Sequence, residues 1–431
     1  MLEIITYIFV LGYLLIAFEH PIKIDKAATA LITGVLCWVV FVIFNGDYHL
    51  PVENLQHHLI EISEILFFLL GAMTIVELVD SHQGFSIITN KIKTLNRVKL
   101  LWVLSFITFF SSAILDNLTT AIIMAALLPR LIKDKDDIWF FAGMLILAAN
   151  AGGAWSPMGD VTTIMLWING QVTLNIIPAI FIPSLVCMLI PLIYLSFTLK
   201  GDVNKPDNHQ ASEHILKPVS SFERNFIFIG GVLGLMFVPI FKIVTHLPPY
   251  MGMLLSLGIL WVASELLHRS KSTAQKSSLT VVGVLRKVDV STIFFFLGIL
   301  LAVGALSSTG ILKNVSSFMN DSKAINGNIY VINIIIGLFS SIVDNVPLVA
   351  GAMNMYSVDT TGDFSQDGIF WQFLAYCAGT GGSVLIIGSA AGVAVMGILK
   401  IDFFWYVKKI SFLALIGYAS GALTYILMQC I

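Results

Sequence analysis

The sequence predicts an all-α polytopic membrane protein made of two inverted repeats. Each repeat has five transmembrane helices plus one re-entrant hairpin, with broken helices at the midplane. Three observations carry this expectation. The 431 residues are 57% hydrophobic and only 12% charged, with a mean hydropathy of +0.89, whereas soluble domains carry about 25% charged residues. The apolar residues gather in runs that match the roughly 20-residue helix needed to cross a bilayer. The two halves of the chain also repeat each other's motifs in register. Composition excludes other classes. No polar stretch is long enough for a soluble catalytic domain, so an enzyme is not expected. A net charge of −2 argues against a nucleic-acid partner. Cys37, Cys187, Cys377 and Cys430 lie in apolar runs without metal-type spacing. They read as small apolar fillers, and no resident cofactor is expected.

Taken in order, full crossings are expected over 4–19, 27–44 and 61–79. No basic residue precedes Lys23, so the first run reads as a retained span and not a cleaved signal. The apolar stretch 100–129 is interrupted by Ser111-Ser112 and Asp116-Asn117. Its arms are too short for comfortable spans and read as a re-entrant hairpin, which is tolerated at membrane depth only inside protein or against a wet cavity. Crossings follow over 138–170, 174–198, 225–245, 250–267 and 290–306. A second hairpin is expected over 327–356, interrupted by Ser340-Ser341 and Asp344-Asn345-Val346-Pro347, and the last crossings over 369–399 and 411–429. Residues 1–199 then form the first repeat, 200–224 a cytoplasmic linker and 225–431 the second repeat.

Charge supports this threading. The loops assigned to one face (19–26, 80–99, 130–137, 199–224, 268–289 and 400–410) hold 21 of the 24 lysines and arginines. Cytoplasmic loops carry the basic excess, which places both termini outside. Counting either hairpin as a full crossing would destroy the segregation.

The repeat itself is legible in four places. Phe67–Gly71 resembles Phe294–Gly298, and Ser111–Asn117 resembles Ser340–Asn345 with one deletion. Gly152-Gly153 and Gly159 match Gly381-Gly382 and Gly388. The offset stays near 228 over about 90 residues. Five crossings per half is an odd number, so the second half is inverted, an architecture common among secondary transporters with midplane binding sites.

Ionisable groups at membrane depth are few. Asp116 and Asp344 sit at the hairpin tips and Asp160 beside the first helix break. An ionised Asp at the bilayer centre costs on the order of 2.5–3.5 kcal/mol, so each is a candidate site for a cation or a proton. The plain alternative is a neutral or helix-capping carboxyl. Asn117, Asn150, Asn345, Thr162, Thr163, Ser383 and Ser389 supply neutral oxygens nearby, with ordinary interhelical hydrogen bonding as their alternative. Glu64 and Glu77 are candidates for a proton path. Glu61 and Asp80, with histidines such as His57, His58 and His82, read as interfacial.

The stretches Leu115–Ala121, Asn150–Trp167, Val343–Leu348 and Gly379–Ser383 resemble the NhaD-type sodium/proton antiporters of the ion transporter superfamily, a likeness running from about Leu66 to Met396. The resemblance implies Na⁺ or Li⁺ expelled in exchange for H⁺ across a bacterial inner membrane. Its partners would be small inorganic cations and the lipid bilayer, in a homodimer. It places the functional polar residues on Asp116, Asn117, Asn150, Asp160, Thr162, Thr163, Ser340, Asp344, Asn345 and Ser383, with Na⁺ at Asp116, Asn117, Asp160 and Asp344. Where the first half has Asp160 the second has Ser389, so the site is asymmetric. A di- or tricarboxylate carrier on the same scaffold is the rival. It is disfavoured because Asp at both tips would repel a carboxylate.

Overall fold

The computed structural model describes residues 1–17, 19–89, 94–204, 219–272, 276, 278–321, 327–342 and 344–430. Most of the expected linker (205–218) and Val343 of the second tip lie outside the described residues. The chain opens with α1 (Leu2–Ala17), α2 (Lys26–Asn45) and α3 (His49–Ser81). α4 (Arg97–Leu115) and α5 (Asn117–Leu131) meet at Asp116. α6 (Lys135–Ala154) and α7 (Val161–Ile168) are the halves of a broken helix, followed by α8 (Ile176–Thr198). The second half has α9 (Ser221–Thr245), α10 (Pro249–Leu267), α11 (Val290–Ser308) and the short amphipathic α12 (Ile311–Asp321). α13 (Ile329–Phe339) and α14 (Asn345–Met355) flank the second tip, α15 (Ile369–Gly381) and α16 (Ala390–Leu399) the second break, and α17 (Phe412–Gln429) ends the chain.

Among the described residues, nine helices are long and apolar enough to cross a membrane, so this is an integral membrane protein. Phe197, Val244 and Ile259 on α8, α9 and α10 are among many large apolar side chains left exposed, as suits a surface solvated by lipid tails. The core lies elsewhere. Every residue of α6 from Phe141 to Ala154 and every residue of α15 from Phe370 to Gly381 is buried, so the two broken helices form the centre. Polar side chains in the helices pair locally, as when Thr33, Thr108 and Thr380 donate to carbonyls one turn back.

Three expectations need correction. α4 runs unbroken through Ser111-Ser112 and has 19 residues, enough for a crossing. Serine does not stop it, because the Ser112 hydroxyl donates to the Ala149 carbonyl at 2.5 Å and leaves the backbone ladder intact. The break comes only at Asp116. α3 begins at His49, not near 61, and its 33 residues span roughly 50 Å, so His57 and His58 lie on a helix and not in a loop. Its only early proline, Pro51, sits in the first turn, where a missing N–H costs nothing. Finally, His82 and His268 are not solvated interfacial residues; both are fully buried.

The paired motifs make matching contacts. Ser112 donates to Ala149 O at 2.5 Å and Ser340 to Ala378 O at 2.8 Å. Gly152 lies against the Phe109 carbonyl, and Gly381 against the Gly337 carbonyl. In both halves the arm before the tip packs on the first half of the broken helix: α4 on α6, and α13 on α15. The arm after the tip crosses over to the other half, α5 packing on α16 and α14 on α7.

Candidate functional site

Each aspartate at a break begins a helix. Asp116 accepts from Thr119 N at 2.7 Å and Thr119 Oγ1 at 2.8 Å, capping α5. Asp160 accepts from Thr162 N at 2.9 Å and Thr162 Oγ1 at 2.8 Å, capping α7. Asp344 accepts from Val346 N at 3.2 Å, capping α14. A carboxylate offers about four acceptor positions, so capping leaves capacity for a ligand. Asp116 also holds φ at +98°. A non-glycine residue at such an angle stores on the order of 1–3 kcal/mol of strain, which here aims the carboxylate inward at the tip.

Asp160 is the hub. It is 1% exposed. Asn117 Nδ2 donates to its Oδ2 at 2.6 Å, and Asn345 Nδ2 lies 3.3 Å from both oxygens. Asn117 Nδ2 also reaches Asn150 Oδ1 at 3.2 Å. Asn150 donates to the hydroxyls of Ser383 and Ser389, each at 2.9 Å. The Ser389 hydroxyl accepts from Gly392 N at 3.1 Å, capping α16 as Asp160 caps α7. One polar network therefore joins both tips and both breaks. Among the described residues, the other four candidates make no hydrogen bond to this network: Asp116 and Asp344 accept from their capping groups, while Thr163 donates to Ala154 O at 3.3 Å and Ser340 to Ala378 O, both tying backbone segments together.

Asp116, Asn117, Asp160, Asp344 and Asn345 line one cavity of about 470 Å³, closed on another side by Leu69, Met73 and Phe296. The three aspartates are not equivalent. Lys26 Nζ lies 3.5 Å from Asp344 Oδ2 and 4.3 Å above the Phe295 ring. Among the described residues, neither Asp116 nor Asp160 has an ion-pair partner. A buried carboxylate surrounded by neutral amides and hydroxyls is costly as an anion and suits a proton or a small hard cation with oxygen ligands. Sequence reasoning counted Lys26 as a loop charge and missed it here. Nothing in one sequence pairs position 26 with 344. The one available signal was that Asp344, buried at a helix tip, needed a counter-charge.

Glu64 and Glu77 do not line this cavity. Glu64 interacts with Lys242, while Glu77 lies 3.8 Å from Lys287. Just past the ends of α3 and α10, His82 Nδ1–H donates to Leu78 O at 2.7 Å, and the two Nε2 atoms of His82 and His268 lie 2.8 Å apart. The first bond fixes the His82 tautomer, so His268 donates to His82. Glu223, from the first turn of α9, approaches His268 Nδ1 at 3.8 Å, and Lys271 pairs with Glu223 at 2.8 Å. Burial first, then Lys271 and His82, push His268 down to about 4, and burial pushes His82 down as well.

The sign follows from proton counting. A free histidine binds a proton below about 6.5, while the packed His268 does so only near 4. The unfolded chain binds more protons between those values, so stability falls as pH drops through that window. We expect the thermal midpoint of the purified protein to fall from pH 6.5 to pH 4 more steeply than that of His268→Gln. Parallel pH profiles would remove this role.

The family model for citrate transporters matches residues 13–372. The chain is 46% identical over 422 residues to sodium/proton antiporter 1 of Arabidopsis thaliana, covering 97% of this chain and 71% of that protein. It is 43% identical to sodium/proton antiporter 2 of the same plant, over 97% of this chain and 98% of that one. It is 30% identical to the Na⁺/H⁺ antiporter NhaD of Vibrio cholerae, over 98% and 91% of the two chains.

Proposed function

The chain belongs to the NhaD-type sodium/proton antiporters, within the citrate-transporter family, and from that premise we propose that it exports Na⁺, or Li⁺, in exchange for protons by alternating access. The observation that carries the reading is Asp160, a carboxylate with no ion-pair partner among the described residues, at the joint of both tips and both breaks. Asp116 and Asp160 hold either the cation or protons, so each displaces the other. Asn117 and Asn345 present amide N–H groups to Asp160. Turning either amide over exchanges the donor for an oxygen, the change a cation requires. Asp344, already paired with Lys26, tunes the site and is not the principal cation ligand.

The scaffold reading is an inverted duplication of 1–199 and 225–431, with re-entrant tips. The shared serine and glycine contacts of the two halves support the duplication. Helix direction supports the inversion. α3 and α11 occupy equivalent positions, and both touch the site cavity, at Leu69 and Phe296. A second cavity between the same helices is reached at lower numbers on α3 (His58, Ile62) but at higher numbers on α11 (Leu300, Gly304). The excess of basic residues in the opposite loops supports placing this second cavity and both termini on the outer side of a bacterial inner membrane. Each net charge moved gains about 2.3 kcal/mol per 100 mV, so exchange of more than one H⁺ per Na⁺ is driven by the potential.

The test is reconstitution. Addition of Na⁺ to proteoliposomes holding a pH gradient is expected to collapse it, and citrate is expected to do nothing. Citrate uptake without Na⁺-driven proton movement would reverse the choice between antiporter and anion carrier. Within this scheme Lys26→Gln leaves Asp344 unpaired. Removing one partner of a buried pair costs about 3–5 kcal/mol, and partial exposure of both groups (19% and 12%) reduces that. The Lys26→Gln/Asp344→Asn double variant is expected to regain stability and transport above the single Lys26 variant. Additive losses in the two single variants would separate the two residues.

A further inference from the structure

We propose that His57, His58 and Glu61 form a binding site for a divalent transition-metal ion of the zinc class, at the mouth of the second cavity. The two imidazoles and the carboxylate each offer one ligand atom, and these atoms all lie within 4.8 Å of one another. His57 Nδ1 is 3.7 Å from one Glu61 oxygen and His58 Nδ1 is 3.7 Å from the other. That separation is too long for a hydrogen bond. It is close to the roughly 3.3–3.5 Å between two ligands that hold one tetrahedral zinc at about 2.0–2.2 Å. Two imidazoles and a carboxylate are a recurrent zinc set with an open fourth position for water, and imidazole favours zinc over magnesium or calcium.

The second ring is already oriented. His58 Nε2 lies 3.2 Å from the Ser308 hydroxyl. A proton held on that nitrogen leaves Nδ1 as a lone pair facing Glu61, the outer-shell arrangement that metal-binding histidines use. The ring lies on Gly304, where a Cβ would stand 3.0 Å from its Cγ, and it meets Trp38 at 6.1 Å. His57 is exposed and Glu61 half-exposed, so an ion reaches the site from water.

The location gives the metal a consequence. His58 and Glu61 line a cavity of about 360 Å³ with Met165, Leu300 and Ala350. The aspartate cavity is lined by Val161, Phe296 and Val346 of the same three helices. Along each of these helices the second cavity begins four residues, one turn, beyond the first. A metal at its mouth closes the route to Asp160 from that face. Metal binding needs no particular transport activity; its inhibitory effect rests on the antiporter reading.

The test uses the full chain, its affinity tag removed, stripped with chelator and titrated with Zn²⁺ by calorimetry. One Zn²⁺ per chain is expected. Affinity should fall at least tenfold in His57→Ala and in Glu61→Gln, and by about tenfold in Ser308→Ala, while Asp160→Asn binds as the wild type does. In proteoliposomes Zn²⁺ should inhibit Na⁺-driven proton movement from one face only, and Glu61→Gln should transport without that inhibition. Absence of saturable binding, or binding unchanged by His57→Ala and Glu61→Gln, overturns the site. Binding without inhibition of an active wild type overturns its placement on the route. Stoichiometric binding in a wild type that moves no protons with Na⁺ upholds the site and counts against the antiporter reading.

Discussion

Asp160→Asn is expected to abolish Na⁺-driven proton movement while leaving the protein folded. The substitution removes one negative charge from a cavity where Asp160 has no cationic partner among the described residues. At an effective dielectric of 20, a charge pair 4 Å apart is worth about 4 kcal/mol, which corresponds to roughly a thousandfold in cation affinity. Folding should survive because asparagine is as good a helix cap as aspartate and can still accept from Thr162 N, which Asp160 bonds at 2.9 Å. Asn345 keeps Oδ1 to bond, while Asn117, which donates to Oδ2, must turn its own amide so that its oxygen accepts from the new NH2. The measurement is Na⁺-induced collapse of a pH gradient in proteoliposomes, with thermal stability measured on the same preparation. Asp344→Asn is expected to lose less, since Lys26 already neutralises that position. Equal losses in the two variants would mean that the ion pair does not set the hierarchy. An Asp160→Asn variant with unchanged apparent Na⁺ affinity would remove Asp160 from the mechanism.

What could be read from the sequence alone was whatever a local pattern determines. Asp116-Asn117 and Asp344-Asn345 announced themselves because a carboxylate and an amide inside an apolar run have no cheap structural explanation. The Gly-Gly…Gly spacing marked both broken helices for the same reason: glycine at membrane depth weakens a helix unless close packing needs it. What could not be read depends on distant partners. Serine in a helix either breaks it or bonds a neighbouring carbonyl, and only the nearness of Ala149 to Ser112 decides which. Lys26 looked like one of many basic residues flanking a span until α2 brought it to Asp344. His82 and His268 are separated by 186 positions and meet because α3 and α10 end side by side. The charge bias, by contrast, is a property of the whole threading, and for that reason it could test the element order before any contact was known.

The largest stability effects should fall on the paired glycines, and they test the duplication independently of transport. A Cβ on Gly152 would collide with the Phe109 backbone carbonyl, and one on Gly381 with the Gly337 carbonyl. Backbone cannot rotate away as a flexible side chain can, so α4 must shift from α6, or α13 from α15. Overpacking of this kind costs about 1–3 kcal/mol or more. Gly152→Ala and Gly381→Ala are therefore expected to lower the thermal midpoint by similar amounts. Gly258→Ala is the control. Its Cβ would meet nothing within 4 Å, so replacing a helical glycine there should gain up to about 1 kcal/mol. The comparison sets packing against helix propensity: Gly152 and Gly258 lie inside helices and Gly381 is the last residue of α15. If Gly152→Ala unfolds the protein while Gly381→Ala behaves like Gly258→Ala, the two halves do not hold their sites open by the same contact, and the resemblance between them stops at the sequence.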